Sequence, residues 1–123
     1  MIQSRTLLEV VDNSGAKIAR CISVLNGFFH KSGTAGDIVV VSIRSLRLLR
    51  KVKVGQVFLG LVVKVKQWQK YKDGSQSHTQ KNAIVLLNKK RQLLGTSVSG
   101  PVSRQLRSKK YMKILLLSGM LFI

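Results

Sequence analysis

The sequence predicts a single domain with a mainly β fold, either a barrel or a sandwich. Short β-branched and apolar runs recur along most of the chain, as in residues 38–43 and 82–88. Glycine-containing turns separate these runs, and no long helical pattern interrupts them. At 123 residues, 45% of them hydrophobic, the chain is long enough to bury one modest core.

Each predicted strand follows from its local pattern. Residues 12–15 form a turn after the first strand, because Asn tolerates a positive φ and Gly adopts one freely. Valine alternates with lysine over residues 63–66, which predicts one buried and one cationic face on that strand. Asp73 and Gly74 are the turn signal of a hairpin. The predicted strands are residues 6–11, 17–25, 38–43, 56–68 and 82–88.

The pattern changes after Pro101, the only proline of the chain. A short basic helix is predicted to start near it, with proline in the first turn, where it is tolerated. The apolar run 114–123 is too short for a membrane-spanning helix, which needs about 20 residues. We therefore expect one domain, 1–123, with a β-barrel over 1–95 and a loop, short helix and core-packed terminal segment over 96–123.

The charge of the chain points to a polyanionic partner. Lys and Arg number 22 against 4 Asp and Glu, which gives a formal net charge of +18 and a pI near 11.2. So large an excess repels itself in a compact domain unless a polyanion neutralises it. Nucleic acid is the leading candidate, and an anionic membrane surface is the second.

The residues that acid–base or metal chemistry needs are scarce and scattered. Three of the four acids occupy turns, and His30 lies far along the chain from His78. The loop from Gly95 to Gly100 lacks the Lys-Ser/Thr ending of a phosphate loop. Cys21 is the only cysteine and is predicted to be a small core residue. We expect no catalytic residue, no metal site, no cofactor and no small-molecule substrate.

A series of motifs in a fixed order carries a family resemblance. They are residues 12–16, 21–25, 36–38, 52–55, 73–75, 82–88, 100–104 and 111–114. In this order they resemble the universal large-subunit ribosomal protein L-fourteen family, in its bacterial and organellar form. The resemblance implies a five-stranded β-barrel with a small C-terminal helical part. It also implies binding to large-subunit rRNA, a neighbouring protein L-nineteen, and a bridge to small-subunit rRNA.

The resemblance also implies which residues meet these partners. Thr96, Ser97 and Lys113 would belong to the subunit interface, where a ribosome-silencing factor docks in bacteria and organelles. The residues predicted to contact RNA are Asn13, Ser14, Lys17, Arg44, Lys51, Lys53, Lys64, Lys66, Asn82, Arg104 and Arg107.

The chain departs from the family pattern at several positions. Ser97-Val98-Ser99 replaces an Arg-Ile-Phe run, Gln105 replaces Glu, Lys72 replaces Pro, and Gly119-Met120 replaces a Pro-Glu pair. This drift, with an N-terminus that enters structure without a presequence, resembles an organelle-encoded mitochondrial protein, with a plastid or bacterial origin as alternatives.

The predicted function is that of a structural, rRNA-binding constituent of the large ribosomal subunit. The alternative from another class is a free-standing basic β-barrel that binds single-stranded nucleic acid. That function needs aromatic side chains spaced along one face to stack bases, and aromatic residues make up only 6% of the chain. Of the adjacent Phe28 and Phe29, we expect one ring in the core and one over the rim, with base stacking as the alternative.

Overall fold

The computed structural model describes residues 2–25, 32–47, 51–109 and 111–119. The predictions for Phe28, Phe29 and His30 lie outside these residues. Within them the elements are β1 (Leu7–Val10), β2 (Ala16–Val24), β3 (Ile38–Leu46), β4 (Val57–Lys64), β5 (Gln69–Lys70), β6 (Gln76–Ser77), β7 (Ala83–Leu87), α1 (Gln105–Ser108) and α2 (Met112–Leu117).

Five of the strands close into a barrel in the order β1-β2-β3-β4-β7, while β5 and β6 form a separate hairpin. Neighbouring barrel strands are antiparallel except for β1 and β7, which pair in parallel with Glu9 opposite Ala83. Closure leaves no unpaired strand edge on the barrel. The predicted five-stranded barrel with a C-terminal helical part is confirmed.

The core has two parts because the helices cover the outside of the barrel. One cluster fills the interior, with residues such as Val41 and Ile84. The second lies between the outer face of β4 and β7 and the C-terminal segment, where Leu106, Ile114 and Leu115 are buried. All five residues of β7 are buried as a result, which is why it reads as a continuous apolar run rather than an alternating one.

The helices are shorter than the sequence pattern indicates. The helix predicted from Pro101 begins only at Gln105, because residues 101–103 run beside β4, where the Ser103 N–H donates to the Val63 carbonyl at 2.9 Å. The apolar segment 112–117 forms the second helix, α2. Helices this short are not stable alone, so their buried leucines and isoleucine hold them in place.

Two further expectations are settled by the burial of side chains. Cys21 is buried, and its burial raises the pKa of the thiol, as fits a core cysteine. Burial alternates over residues 63–66, but the single buried face predicted for them is wrong. Val63 packs in the outer cluster and Val65 in the interior cluster, because the pairing of β4 with β7 shifts register after Val62 and β4 ends at Lys64. No helix among the described residues is long and apolar enough to cross a membrane.

The carboxyl group of Asp12 joins the first turn to the last barrel strand. It is buried; Oδ1 accepts hydrogen bonds from the N–H and the hydroxyl of Ser14, and Oδ2 accepts one from the Leu86 N–H at 3.0 Å. The backbone of Asp12 also forms an antiparallel bridge with Val98. Asp12 thus connects the 12–15 turn and β7 through its carboxyl group, and the loop that follows β7 through its backbone.

We predict that Asp12→Ala lowers the free energy of unfolding by about 2–4 kcal/mol, because it leaves two buried N–H groups without acceptors. Urea denaturation measures the loss. The matched control is Asp73→Ala, since the Asp73 carboxylate accepts the same pair of bonds from Ser75 at an exposed turn. Equal losses in the two variants would contradict the role given to burial.

Candidate nucleic-acid interface

The side chain of Asn13 fastens the loop after β7 onto the first turn. Its Oδ1 accepts hydrogen bonds from the N–H groups of Thr96 (2.7 Å) and Ser97 (3.3 Å), and its Nδ2 donates to the Thr96 hydroxyl at 2.7 Å. A Cβ on Gly95 would lie only 2.7 Å from this Oδ1, so the approach requires glycine. Thr96 and Ser97 remain exposed on top of this support.

The same end of the barrel carries four of the predicted RNA-contacting cations. We call it the turn end and define it by the 12–15 turn, the start of β2, the end of β3 and residues 51–55. Ala16 pairs with Leu46 there, and the Lys51 N–H donates to the Ser14 carbonyl at 3.0 Å. The four cations are all exposed, and they are Lys17, Arg44, Lys51 and Lys53.

Two predicted RNA contacts at the turn end have structural roles instead. Ser14 is 0% exposed and its hydroxyl donates to Asp12, so the side chain offers no surface to RNA, and we remove it from the predicted set. The amide of Asn13 is occupied by the loop, although the residue itself is exposed. Both were predicted from the family resemblance, which does not reveal how a side chain is used inside this domain.

Three further predicted residues lie at the opposite end of the barrel, where Lys64 pairs with Ala83. The Asn82 Oδ1 accepts the Lys66 N–H at 2.8 Å, which holds the chain as it leaves β4. The Lys66 side chain is exposed, whereas Lys64 and Asn82 are half-buried. The predicted contacts are therefore divided between two ends of the barrel and do not form one patch.

Arg104 binds the β5–β6 hairpin. Its guanidinium lies 3.8 Å from the centroid of the Tyr71 ring, donates to the Ser75 hydroxyl and comes within 3.6 Å of the Asp73 Oδ1. Hydrogen bonds from the Ser75 side chain and backbone lower the pKa of Asp73, and the nearby Arg104 charge adds to the effect. Of Arg104 and Arg107, both predicted to contact RNA, only Arg107 is exposed on α1 without an acidic partner among the described residues.

Lys113 lies on α2 beside the chain that leads to Thr96. It lines an open groove of about 510 Å³ together with Tyr111 from the start of α2 and with Arg91 and Leu93, which follow β7. Leu93 is three residues before Thr96 along the chain. The three residues predicted for the subunit interface thus all lie on or beside the segment 91–97.

The acids are engaged within the protein. Glu9 pairs with Lys81 at 3.6 Å, Asp37 with Lys109 at 3.1 Å, and Asp73 with Arg104, while Asp12 is buried. Nineteen of the 22 Lys and Arg lie in the described ranges and three of them pair with an acid, so sixteen described cations have no acidic partner. The described residues also contain no cluster of His, Cys, Asp or Glu that could hold a metal ion.

A protein-family model for ribosomal protein L14p/L23e matches residues 1–122. The chain belongs to this family. It is therefore a structural protein of the large ribosomal subunit, and its place is on the ribosome.

Within this L14p/L23e protein, the residues 97–99, where we expect a departure from the family's loop pattern, are exposed at two of three positions. Val98, at the centre of the altered run, is buried and pairs with Asp12. Ser97 and Ser99 on either side are exposed, and the Ser99 N–H donates to the Val11 carbonyl at 2.8 Å. The attachment of the loop to the barrel is thus independent of the two serine side chains.

Asp37 attaches α1 to the start of β3. Lys109 Nζ donates to Asp37 Oδ1 at 3.1 Å and to the Ala35 carbonyl at 3.3 Å, while the Thr34 N–H donates to Asp37 Oδ2 at 2.8 Å. Burial alone would raise the pKa of Asp37, but these hydrogen bonds and the Lys109 charge outweigh it and lower the pKa. Lys109 lies across Gly36, where an added Cβ would overlap its side chain.

Because the folded-state pKa of Asp37 is lowered, its contribution is present above the ordinary value of 3.8 and is lost as the pH falls through the folded-state pKa. We expect Asp37→Asn to reduce the free energy of unfolding by about 1 kcal/mol at pH 7, since Lys109 is 42% exposed and partly screened. Urea denaturation at pH 7 and pH 2.5 (roughly one unit below the ordinary value) should show the difference from the parent chain shrink in acid. A difference that grows in acid would contradict this assignment.

Proposed function

We propose that this large-subunit protein binds large-subunit rRNA through the cations that its own acids leave unpaired. The supporting observation is the distribution of charge: all four acids are engaged by groups of the protein itself, and sixteen described cations lack an acidic partner. Phosphates are the ligands that such a surface attracts, and their neutralisation releases counterions. An enzyme function receives no support from these residues.

The proposed RNA contacts are the four exposed cations of the turn end and Arg107 on α1. Their ammonium and guanidinium groups are exposed and face no carboxylate among the described residues. Lys64, Lys66 and Asn82 provide a second contact at the opposite end of the barrel. In this proposal Arg104 acts by holding the hairpin and Asn13 by holding the loop, so neither needs to touch RNA directly. The exposed contacts are Lys17, Arg44, Lys51, Lys53 and Arg107.

Salt dependence tests this proposal. Binding of the parent chain to a large-subunit rRNA fragment should weaken steeply with rising salt, and replacing Lys17, Arg44, Lys51 and Lys53 together with Ala should lower the slope of log K against log salt by about 3. Filter binding from low to moderate salt measures the slope. Lys51→Ala should weaken RNA binding more than its matched control Lys81→Ala, because Lys81 already pairs with Glu9. Equal effects of the two, or an unchanged slope in the quadruple variant, would contradict the proposed contacts.

We further propose that Thr96, Ser97 and Lys113 form part of an intersubunit bridge to small-subunit rRNA. The exposed position of all three and their common location around segment 91–97 support the proposal. The neighbouring protein L-nineteen and a ribosome-silencing factor are the proposed protein partners of this side. The loss of Arg and Phe side chains at Ser97 and Ser99 reduces the area that the loop can bury against these partners.

Lys113→Glu should leave large subunits assembled and reduce the fraction that joins small subunits, because the new carboxylate repels phosphates. Sucrose-gradient profiles in magnesium measure both quantities. Arg5→Glu is the control, since it makes the same charge change at an exposed residue near the opposite end of the barrel. A loss of assembled large subunits in Lys113→Glu would assign this residue to assembly and not to the bridge.

The proposed location is the mitochondrial ribosome. The high net charge and the departures from the bacterial pattern at Lys72, Gln105 and the loop favour an organelle-encoded protein. Sequencing the rRNA in the particle that contains the protein decides between the mitochondrion, a plastid and a bacterial cytoplasm.

A further inference from the structure

The β5–β6 hairpin has two unlike faces. Side-chain burial alternates along it with the period of two that strands impose. The half-buried inner residues are Gln69, Tyr71, Ser75 and Ser77. The exposed outer residues are Trp68, Lys70, Lys72, Gln76 and His78. We call this second set the outer face of the hairpin.

The inner face holds the hairpin in one conformation. The hydroxyl groups of Tyr71 and Ser77 lie 2.7 Å apart in a hydrogen bond, and the Arg104 guanidinium covers the Tyr71 ring. Arg104 also holds Ser75 and Asp73 at the tip. Strands of two residues are marginal on their own, so this attachment is what positions the outer face.

The outer face carries an exposed pair of rings. Trp68 is 60% exposed, and its ring centroid lies 4.4 Å from that of His78 with an angle of 33° between the planes. The two residues stand opposite each other where the Gln69–Ser77 pairing continues past the strand ends. An aromatic surface is therefore held on the hairpin without being covered by the rest of the described chain.

The charges around this ring pair are all positive. Lys70 and Lys72 are exposed on the same face, and Lys66 is exposed just before it. Asp73, the one acid of the hairpin, is engaged by Ser75 and Arg104 at the tip. An apolar peptide laid on the rings would leave these ammonium groups without counter-charges. An unpaired nucleotide offers a flat base for the rings and phosphates for the lysines.

We propose that the outer face of the hairpin binds an unpaired RNA nucleotide. The base stacks on the Trp68–His78 pair, and the flanking phosphates pair with Lys70 and Lys72. The inference rests on the proposed rRNA binding and adds the kind of RNA that this face selects, a single-stranded nucleotide and not a duplex. Selectivity comes from stacking, since a base inside a duplex has no free face to offer.

Trp68 is the only tryptophan, so its fluorescence reports on this face alone. The full chain is titrated with an oligoadenylate of about ten nucleotides and with an abasic ribose-phosphate oligomer of equal length. Oligoadenylate should quench the emission in a saturable manner, and the abasic oligomer should bind without comparable quenching. Equal quenching by the two oligomers would overturn the proposal, because charge alone would then explain it.

Affinities of variants come from the anisotropy of a labelled oligoadenylate. Trp68→Ala should weaken binding at least about fivefold, and Trp68→Phe should retain most of it, because a smaller ring still stacks. Leu116→Ala is the matched control, since Leu116 is an apolar residue of similar exposure (63%) on α2. It should leave the affinity unchanged.

Stacking on Trp68 and rRNA binding by the whole chain are distinguished by different outcomes. If oligoadenylate binds without quenching and Trp68→Ala is without effect, the stacking site is wrong while rRNA binding stands. If neither oligomer nor the rRNA fragment of the salt experiment binds, the proposed function itself fails. If RNA leaves the emission unchanged and a ribosomal protein shifts it, the outer face binds protein and the proposal is overturned.

Discussion

The buried carboxyl group of Asp12 is the interaction on which the barrel and the candidate interface both depend. Its two oxygens accept from donors of the 12–15 turn and of β7, so this side chain extends the backbone pairing of β1 with β7 by one further hydrogen bond. The next residue, Asn13, holds the loop at Thr96 and Ser97. Because the turn supports the loop, a change that loosens Asp12 also moves the exposed surface above it. Stability and interface geometry are thus coupled through two adjacent residues.

The scarcity of acids constrains the rest of the molecule. Glu9, Asp37 and Asp73 each form a contact inside the domain, and Asp37 and Asp73 tie the C-terminal segment to the barrel and the hairpin. No carboxylate is left among the described residues to balance the cations outside. The isolated chain consequently carries a self-repulsion that surface ion pairs, which are individually weak, do not remove. A polyanion supplies the missing counter-charge, so the proposed RNA binding would also stabilise the compact state.

The sequence predicts the strands well and the contacts poorly, for physical reasons. The Asp73-Gly74 turn is a local signal and matches the structure. The single buried face predicted for residues 63–66 does not, because a register shift after Val62 puts Val63 and Val65 in different clusters. The burial of Ser14 is not local, because it depends on Asp12 reaching β7 seventy-four residues away in sequence. The late start of α1 has a similar cause, since residues 101–103 are held beside β4 by long-range contacts. On β2, shifts of register turn Ala19 and Cys21 inward and leave Ile22 47% exposed, which hydrophobicity alone would not indicate.

Arg104 illustrates why a cation in a strongly basic protein need not contact the proposed RNA. The Arg104 guanidinium covers the Tyr71 ring and contacts Asp73 and Ser75. One of its planar faces and several of its N–H donors are therefore already used within the protein. What it contributes is the position of the hairpin, since the inner face that it holds determines where Trp68 and His78 stand. The sequence presents Arg104 and Arg107 as equivalent members of a basic segment. The structure separates them, because one is satisfied within the domain and the other is exposed to solvent with its charge available. A cation that contacts an acid or an aromatic ring of the domain has a structural role. A cation without such a contact is available to the proposed RNA.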